Sequence, residues 1–316
     1  MNGTGIVTAS ELNVRGGPST GEPIKGRLVR GSRVEIVDTA GRWYRIRSDA
    51  GLEGFVHGSF LTILDEEPAA SFLFEDAGLG SVPLEVPDHE RIDTGPLSGR
   101  RRDVARTWNR YGGLLAGLSG SMDIDPGCAV AVLLVESGGV GFGRGGRMII
   151  RFENHKFWSF WGKANRQAFD RHFRFNAQKC WQGHEFCEVP DTTWGGFHGD
   201  QNKEWAVFEF ARGLHEPAAM MSISMGLPQI MGFNHAEIGY DGVRGMFDNF
   251  SADVRFQILG LFDFVRGKGT TSPMLQALQR RDFDRFASLY NGPGQAAKYG
   301  GWIEERFEMF RALMSA

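Results

Sequence analysis

Cysteine is scarce in this chain: Cys128, Cys180 and Cys187 are the only three in 316 residues. Three is odd and too few for a disulfide framework. Cys128 lies in an apolar run and reads as a small core residue. Cys180 and Cys187 flank His184, with His172 and His198 nearby, but that spacing fits no familiar zinc pattern. Two free thiols are therefore the expectation, with a Cys180–Cys187 disulfide as the alternative. No metal site is assigned and no cofactor is expected. No run of 18 apolar residues occurs, so no membrane insertion is expected. Residues 1–11 lack both a basic start and an apolar stretch, so no secretory signal is expected. Net charge is −3, and nothing in it points to a nucleic-acid partner. Tyrosine is rare (5), whereas Phe (25) and Trp (8) are plentiful, which predicts a strongly aromatic core or groove.

Length and composition fit two soluble domains with a sizeable core. Residues 1–64 show short alternating runs separated by turn residues: Leu12-Asn13-Val14-Arg15, Arg33-Val34-Glu35-Ile36-Val37, Trp43-Tyr44-Arg45-Ile46-Arg47 and Glu53-Gly54-Phe55-Val56. This spacing predicts a small all-β barrel. The order Leu-Asn-Val-Arg-Gly-Gly-Pro-Ser-Thr, then Trp-Tyr-Arg-Ile-Arg, then Gly-Phe-Val-His-Gly-Ser-Phe-Leu resembles the bacterial SH3-like domain. The resemblance implies binding to cell-wall peptides or glycans; a spacer role is the alternative.

Residues 65–98 carry nine acidic side chains against one basic residue, Arg91, and are interrupted by Pro68, Pro83, Pro87 and Pro96. Like charge and proline predict an extended linker, with Phe72, Leu73 and Phe74 able to dock on a domain. From residue 99 to 316 the pattern is mainly helical. Val104, Trp108, Tyr111, Leu115 and Leu118 form a helical stripe, and further helices are predicted over 203–215, 251–266, 273–280 and 296–314. Met148 to Glu153 reads as a strand. The Gly-rich turn 138–146 follows a helix and precedes a strand, the reverse of a dinucleotide fingerprint. Residues 180–201 fit an insertion at the rim of a groove.

Glu136 closes the apolar run Ala129 to Val135 and is followed by Ser137-Gly138-Gly139. Asp125-Pro126 supplies a helix start and the glycines a stop. Glu136 then sits in the last turn, where desolvation and the negative end of the helix dipole both favour the proton. A carboxylic acid still protonated near neutral pH suits cleavage of a glycosidic bond; an exposed Glu at a helix end is the plain alternative.

Glu136-Ser137-Gly138, the stretch Ser224 to His235, and Tyr290-Asn291-Gly292-Pro293-Gly294 occur in the order of the lysozyme-superfamily signature shared by goose-type lysozymes and lytic transglycosylases. With Arg151-Phe152-Glu153-Asn154-His155 and Gln229-Ile230-Met231-Gly232-Phe233-Asn234-His235 they resemble, across 99–316, the N-acetylmuramidase domain of phage endolysins. The resemblance implies a mainly α lysozyme-like domain with a small β-hairpin. It implies peptidoglycan as partner and cleavage of the β-1,4 bond between N-acetylmuramic acid and N-acetylglucosamine. Glu136 is then the general acid, and Glu153 the candidate second carboxylate, with Asp241 and Asp123 as weaker ones. Gln229, Asn234, Tyr290 and Asn291 are the candidate substrate-binding residues. Trp158, Trp161 and Trp194 are candidates for sugar stacking or for the core. Pro228 lacks the N–H that related motifs carry there, so one loop hydrogen bond must be absent or replaced. A lytic transglycosylase and a catalytically silent wall-binding protein are the alternatives. The expected setting is synthesis in the cytoplasm and action on the bacterial wall, as a phage endolysin or with a phage-tail or injection-device partner.

Overall fold

A computed structural model describes residues 3–64, 72–190, 192–267 and 272–315. The chain divides into two units, with the division at residue 70. The first is one curled antiparallel sheet of seven strands: β1 (Gly3–Val7), β2 (Glu11–Arg15), β3 (Ile24–Val29), β4 (Arg33–Ala40), β5 (Trp43–Ser48), β6 (Glu53–His57) and β7 (Leu61–Leu64). Strand order is β3-β2-β6-β5-β4-β1-β7. Every second side chain turns inward, as the two-residue period requires. Val14, Val34, Ile36, Ile46 and Val56 close the small core. The SH3-like all-β expectation holds.

The second unit is mainly helical. Its elements are α1 (Ala77–Ser81), α2 (Gly99–Ser121), α3 (Pro126–Ser137), β8 (Ile150–Phe152), α4 (Asn154–Phe157), α5 (Arg166–His172), β9 (Phe173–Arg174), β10 (Glu185–Phe186) and β11 (Gly195–Gly196). They continue as α6 (Gln201–Met221), β12 (Ile223–Met225), β13 (Ile230–Met231), α7 (Val243–Ala252), α8 (Val254–Arg266), α9 (Pro273–Gln279), α10 (Phe283–Tyr290) and α11 (Ala296–Met314). The expected hairpin is part of a three-stranded sheet, β13-β12-β8, and β11-β10-β9 form another.

Two clusters fill this unit. In one, α3 is buried between α2, α8, α10 and α11, which explains why Gly127 to Leu133 can be apolar on every side. The other is phenylalanine-rich: Phe152, Phe157, Phe169, Phe173, Phe208 and Phe250 gather around α6. The surplus of Phe over Tyr thus serves packing, where a hydroxyl would need a partner. Helix α6 is longer than the predicted 203–215 and breaks at His215 (φ −161°, ψ 97°) because Pro217 follows. The His215 ring accepts from the Ala218 N–H and so restarts the helix.

The expected extended linker over 65–98 needs correction for its larger part. Residues 65–71 lie outside the described residues, but 72–98 run along the second unit as a strap. Val86 is buried, and Leu73, Phe74, Leu79, Val82, Leu84, Ile92 and Leu97 pack on the helices. Backbone groups of the strap are answered by side chains of the body. Leu73 N–H donates to Asp263, the Asn109 amide brackets Ile92, and the Trp108 indole donates to the Glu90 carbonyl. The strap crosses α2 so closely that a Cβ on Gly113 would lie 2.3 Å from the Glu85 carbonyl oxygen. Apolar residues spaced among the acids decide this outcome. Charge governs a chain only when it has nothing to bury.

Candidate active site

The helix that carries Glu136 is built as its local sequence dictates. The Asp125 side chain accepts from the Gly127 N–H, Pro126 occupies the first turn, and Gly138 ends the helix in the left-handed region (φ 66°). Glu136 is thereby held in the last turn, at the bottom of a cleft of ≈ 750 Å³. Its carboxyl is reached from the cleft but enclosed by protein on most sides. Burial pushes its pKa up to about 7, and the hydrogen bond from Asn291 pulls weakly the other way. That bond runs from Asn291 Nδ2 to Glu136 Oε1 at 2.8 Å.

Glu153 lines the same cleft. It leaves the end of β8, where its N–H donates to the Ser222 carbonyl. Burial alone would raise its pKa, but His155, His184 and Arg151 outweigh that and hold the carboxyl at about 2. Arg151 Nε donates to Oε1 at 2.9 Å. Oε2 lies 3.3 Å from His155 Nδ1 and 3.5 Å from His184 Nδ1. One carboxyl in the cleft therefore keeps its proton near neutral pH and the other does not, an arrangement that separates acid from charged carboxylate.

Gln229 faces the cleft from a strained backbone (φ 53°) after Pro228. Ser224 Oγ donates to its Oε1, and its Nε2 donates to the Gly226 carbonyl, both at 2.7 Å. Sheet pairing sets Ser224 opposite Arg151, so the two strands deliver Arg151, Glu153, Ser224 and Gln229 to one place. Around Pro228, the loop is held by Leu227 N–H donating to Gln257 and by the Tyr290 hydroxyl donating to the Pro228 carbonyl.

Of the residues singled out by sequence, Glu136, Glu153, Gln229 and Asn291 meet at the cleft, while Asn234 and Tyr290 are not among its lining residues. Asn234 lies on the turn Gly232–Ile238. The Tyr290 ring packs on Phe264 and Phe286 behind the cleft, where it braces the Pro228 loop. Asp123 and Asp241 do not line it either. Trp158 and Trp161 pack on Phe169 and Phe157, and Trp194 lies under Arg174, 3.6 Å from its guanidinium carbon. Sequence reading missed Trp181, Gln182, Gln295 and Tyr299, all lining the cleft. Trp181 is 57 % exposed, a signal invisible without burial. It sits on the segment between β9 and β10 that was read as a rim insertion. The three cysteines are free, and the Cys187 thiol donates to the Val189 carbonyl.

A second groove, ≈ 480 Å³, lies in the first unit, with Trp43, His57 and Phe60 beside Glu11, Asn13 and Arg15. The Trp43 and His57 rings meet edge to face, 5.3 Å apart. Among the described residues no helix is long and apolar enough to cross a membrane.

The sequence profile of the N-acetylmuramidase family matches residues 125–311, more than half of the chain. That of the bacterial SH3 domain matches residues 10–62. The crystal structure of the Burkholderia AP3 phage endolysin is similar at 27 % sequence identity, over 63 % of this chain and 69 % of that one, with a TM-score of 0.48. No curated protein matches.

Proposed function

Because the chain belongs to the N-acetylmuramidase family and so is a peptidoglycan hydrolase, we propose that it cleaves the β-1,4 bond between N-acetylmuramic acid and N-acetylglucosamine with Glu136 as general acid. The observation that carries this reading is the Glu136 carboxyl, desolvated at the end of an apolar helix yet open to a sugar-sized cleft. It hands its proton to the glycosidic oxygen as the C–O bond breaks, and a water adds to the sugar carbon. Glu153, ionised throughout the neutral range, is the second carboxylate of this reading. Its fixed negative charge supports the positive charge that develops on the sugar ring. Asn291 and Gln229 supply amide groups to the N-acetyl and hydroxyl groups of the substrate. Trp181 offers a face for a sugar ring at the rim. Tyr290 contributes by bracing the Pro228 loop through its hydroxyl.

The first unit is proposed to hold the enzyme on the wall through the aromatic groove at Trp43, His57 and Phe60. Action on the wall as an endolysin follows from the same reading.

One observation favours a second reading. Both oxygens of Glu153 face cationic or imidazole neighbours, which leaves it a weak base for activating water. In a lytic transglycosylase Glu136 alone would act as acid and then as base, and the 6-hydroxyl of the sugar would attack. Mass spectrometry of digested wall separates the two: an added water at each new end supports hydrolysis, and 1,6-anhydro ends refute it. Purified wall incubated with the native chain and with Glu136→Gln tests the acid. Equal turnover by both removes Glu136 from the mechanism, and no turnover by either leaves a wall-binding protein.

A further inference from the structure

The most unusual grouping of side chains outside the proton-donating carboxyl is Glu153, His155 and His184, whose candidate ligand atoms all lie within 4.8 Å of one another. His184 is completely buried, and the side chains of Glu153 and His155 are 13 % and 17 % exposed. The His184 tautomer follows from its partners. Nε2 lies 2.8 Å from the Cys180 carbonyl, which can only accept, so Nε2 carries the hydrogen. Nδ1 is then the acceptor nitrogen, and it takes the Asn154 backbone N–H at 3.3 Å, a bond that a metal ion would have to displace. Facing it at 3.5 Å is the Glu153 Oε2 atom, another lone-pair centre. His155 Nδ1 stands 3.3 Å from the same oxygen, yet both atoms are buried without a hydrogen-bond partner.

Three electron-pair donors thus converge where water is excluded. In tetrahedral zinc coordination, with bonds of about 2.0–2.1 Å, neighbouring ligand atoms stand about 3.3–3.4 Å apart; the two spacings from Oε2 are 3.3 and 3.5 Å, while the spacing between the two imidazoles is bounded at 4.8 Å and has to close on an ion. We propose that Glu153, His155 and His184 bind a divalent transition-metal ion, zinc or one of similar preference. Two imidazoles and one carboxylate are the donor set such ions select. The outer partners suit it as well. The Cys180 carbonyl orients the His184 ring through its far nitrogen, and Arg151 holds the other Glu153 oxygen.

The ion ties two segments together. Glu153 and His155 belong to the junction of β8 and α4, whereas His184 follows Trp181 and Gln182, which line the cleft. The bound ion pins that rim to the sheet that carries Glu153 and takes up the negative charge of Glu153, so in the metal-bound chain Glu153 no longer supports a sugar cation and Glu136 alone does the proton work. The inference does not depend on which product the cleft makes, because its readout is metal uptake and not turnover.

The test uses the full chain, stripped with a chelator and titrated with Co²⁺ and Zn²⁺. A single equivalent of cobalt per chain is expected, with visible ligand-field absorption, displaced by zinc, together with a zinc-dependent rise in melting temperature. His155→Gln and Glu153→Gln are each expected to lose the absorption and the zinc-dependent rise, and Cys180→Ser to keep both. The native chain decides on its own: no stoichiometric uptake overturns the site, even if the variants fail to fold. Uptake undiminished in both the His155 and Glu153 variants, or lost in Cys180→Ser, places the ion elsewhere and equally overturns it.

Discussion

Asn291 Nδ2 donates to Glu136 Oε1 at 2.8 Å, joining two residues 155 positions apart in the chain. The bond points the carboxyl from the end of α3 toward the loop after α10, across the bottom of the cleft. It also stabilises the ionised form, against the stronger push of burial toward the protonated one. Asn291→Ala is therefore expected to move the alkaline limb of the pH–activity profile to higher pH. It should also lower turnover by about tenfold or more through lost positioning. An unmoved limb would show that the bond does not reach the titrating group.

With Glu136 titrating at about 7, kcat/KM on wall fragments is expected to fall roughly tenfold per pH unit above about pH 7. With Glu153 held at about 2, no opposing limb is expected across the mildly acidic range. Steady-state kinetics from about pH 4 to about pH 9 check both statements.

The same carboxyl leaves a mark on stability. Its folded pKa lies above the ordinary 4.5, so its contribution is favourable below the unfolded value and is lost as pH rises through about 7. Glu136→Gln should then be more stable than the native chain at about pH 8, by on the order of 1–3 kcal/mol, and should show no such gain at about pH 4. Paired thermal melts at the two pH values measure it. Glu153 carries the opposite sign. Its folded pKa is depressed, so its contribution is present above 4.5 and fades as pH falls toward about 2.

Trp181 is half exposed and lines the cleft. Trp181→Ala is expected to raise KM for wall fragments by roughly tenfold, about 1–2 kcal/mol of lost ring contact, while kcat and the melting temperature change little. A fall in kcat with KM intact would contradict the stacking role. In the other unit, Trp43→Ala in the full chain should weaken co-sedimentation with insoluble wall and leave turnover of soluble fragments untouched.

Gly113 tests the strap. An added Cβ would stand 2.3 Å from the Glu85 carbonyl oxygen and 2.6 Å from that of Pro83, both backbone atoms that cannot swing aside. Gly113→Ala is expected to cost about 1–3 kcal/mol by overpacking, read as a lower melting temperature. An unchanged melt would mean that the strap lifts off α2 freely.

Much of this was legible in the residues. Asp125-Pro126 and Gly138 bound α3 as written, because capping is a matter of neighbouring backbone groups. The alternation in residues 12–56 specified strands for the same local reason. Glu136 was also legible, since an acid that ends a wholly apolar helix must meet either a groove or a penalty. The strap was not: its acids and prolines argued for an extended tether, and only the helices opposite Val86, Leu84 and Ile92 show that it has something to bury against. The break at His215 lies between these cases, since Pro217 announces it but only the packing lets the helix resume.

Sequence by itself determined what depends on neighbours along the chain: the helix and strand periods, the caps, the two-part organisation and the carboxyl that ends α3 at position 136. Tertiary structure alone decided which distant side chains share water-poor space. It brought Asn291 to Glu136, and Trp181 to the cleft rim. It set Tyr290 behind the cleft and gathered His155 and His184 about Glu153. These outcomes rest on desolvation and on distances of a few ångströms between residues far apart in sequence, and neither quantity exists until the chain has folded.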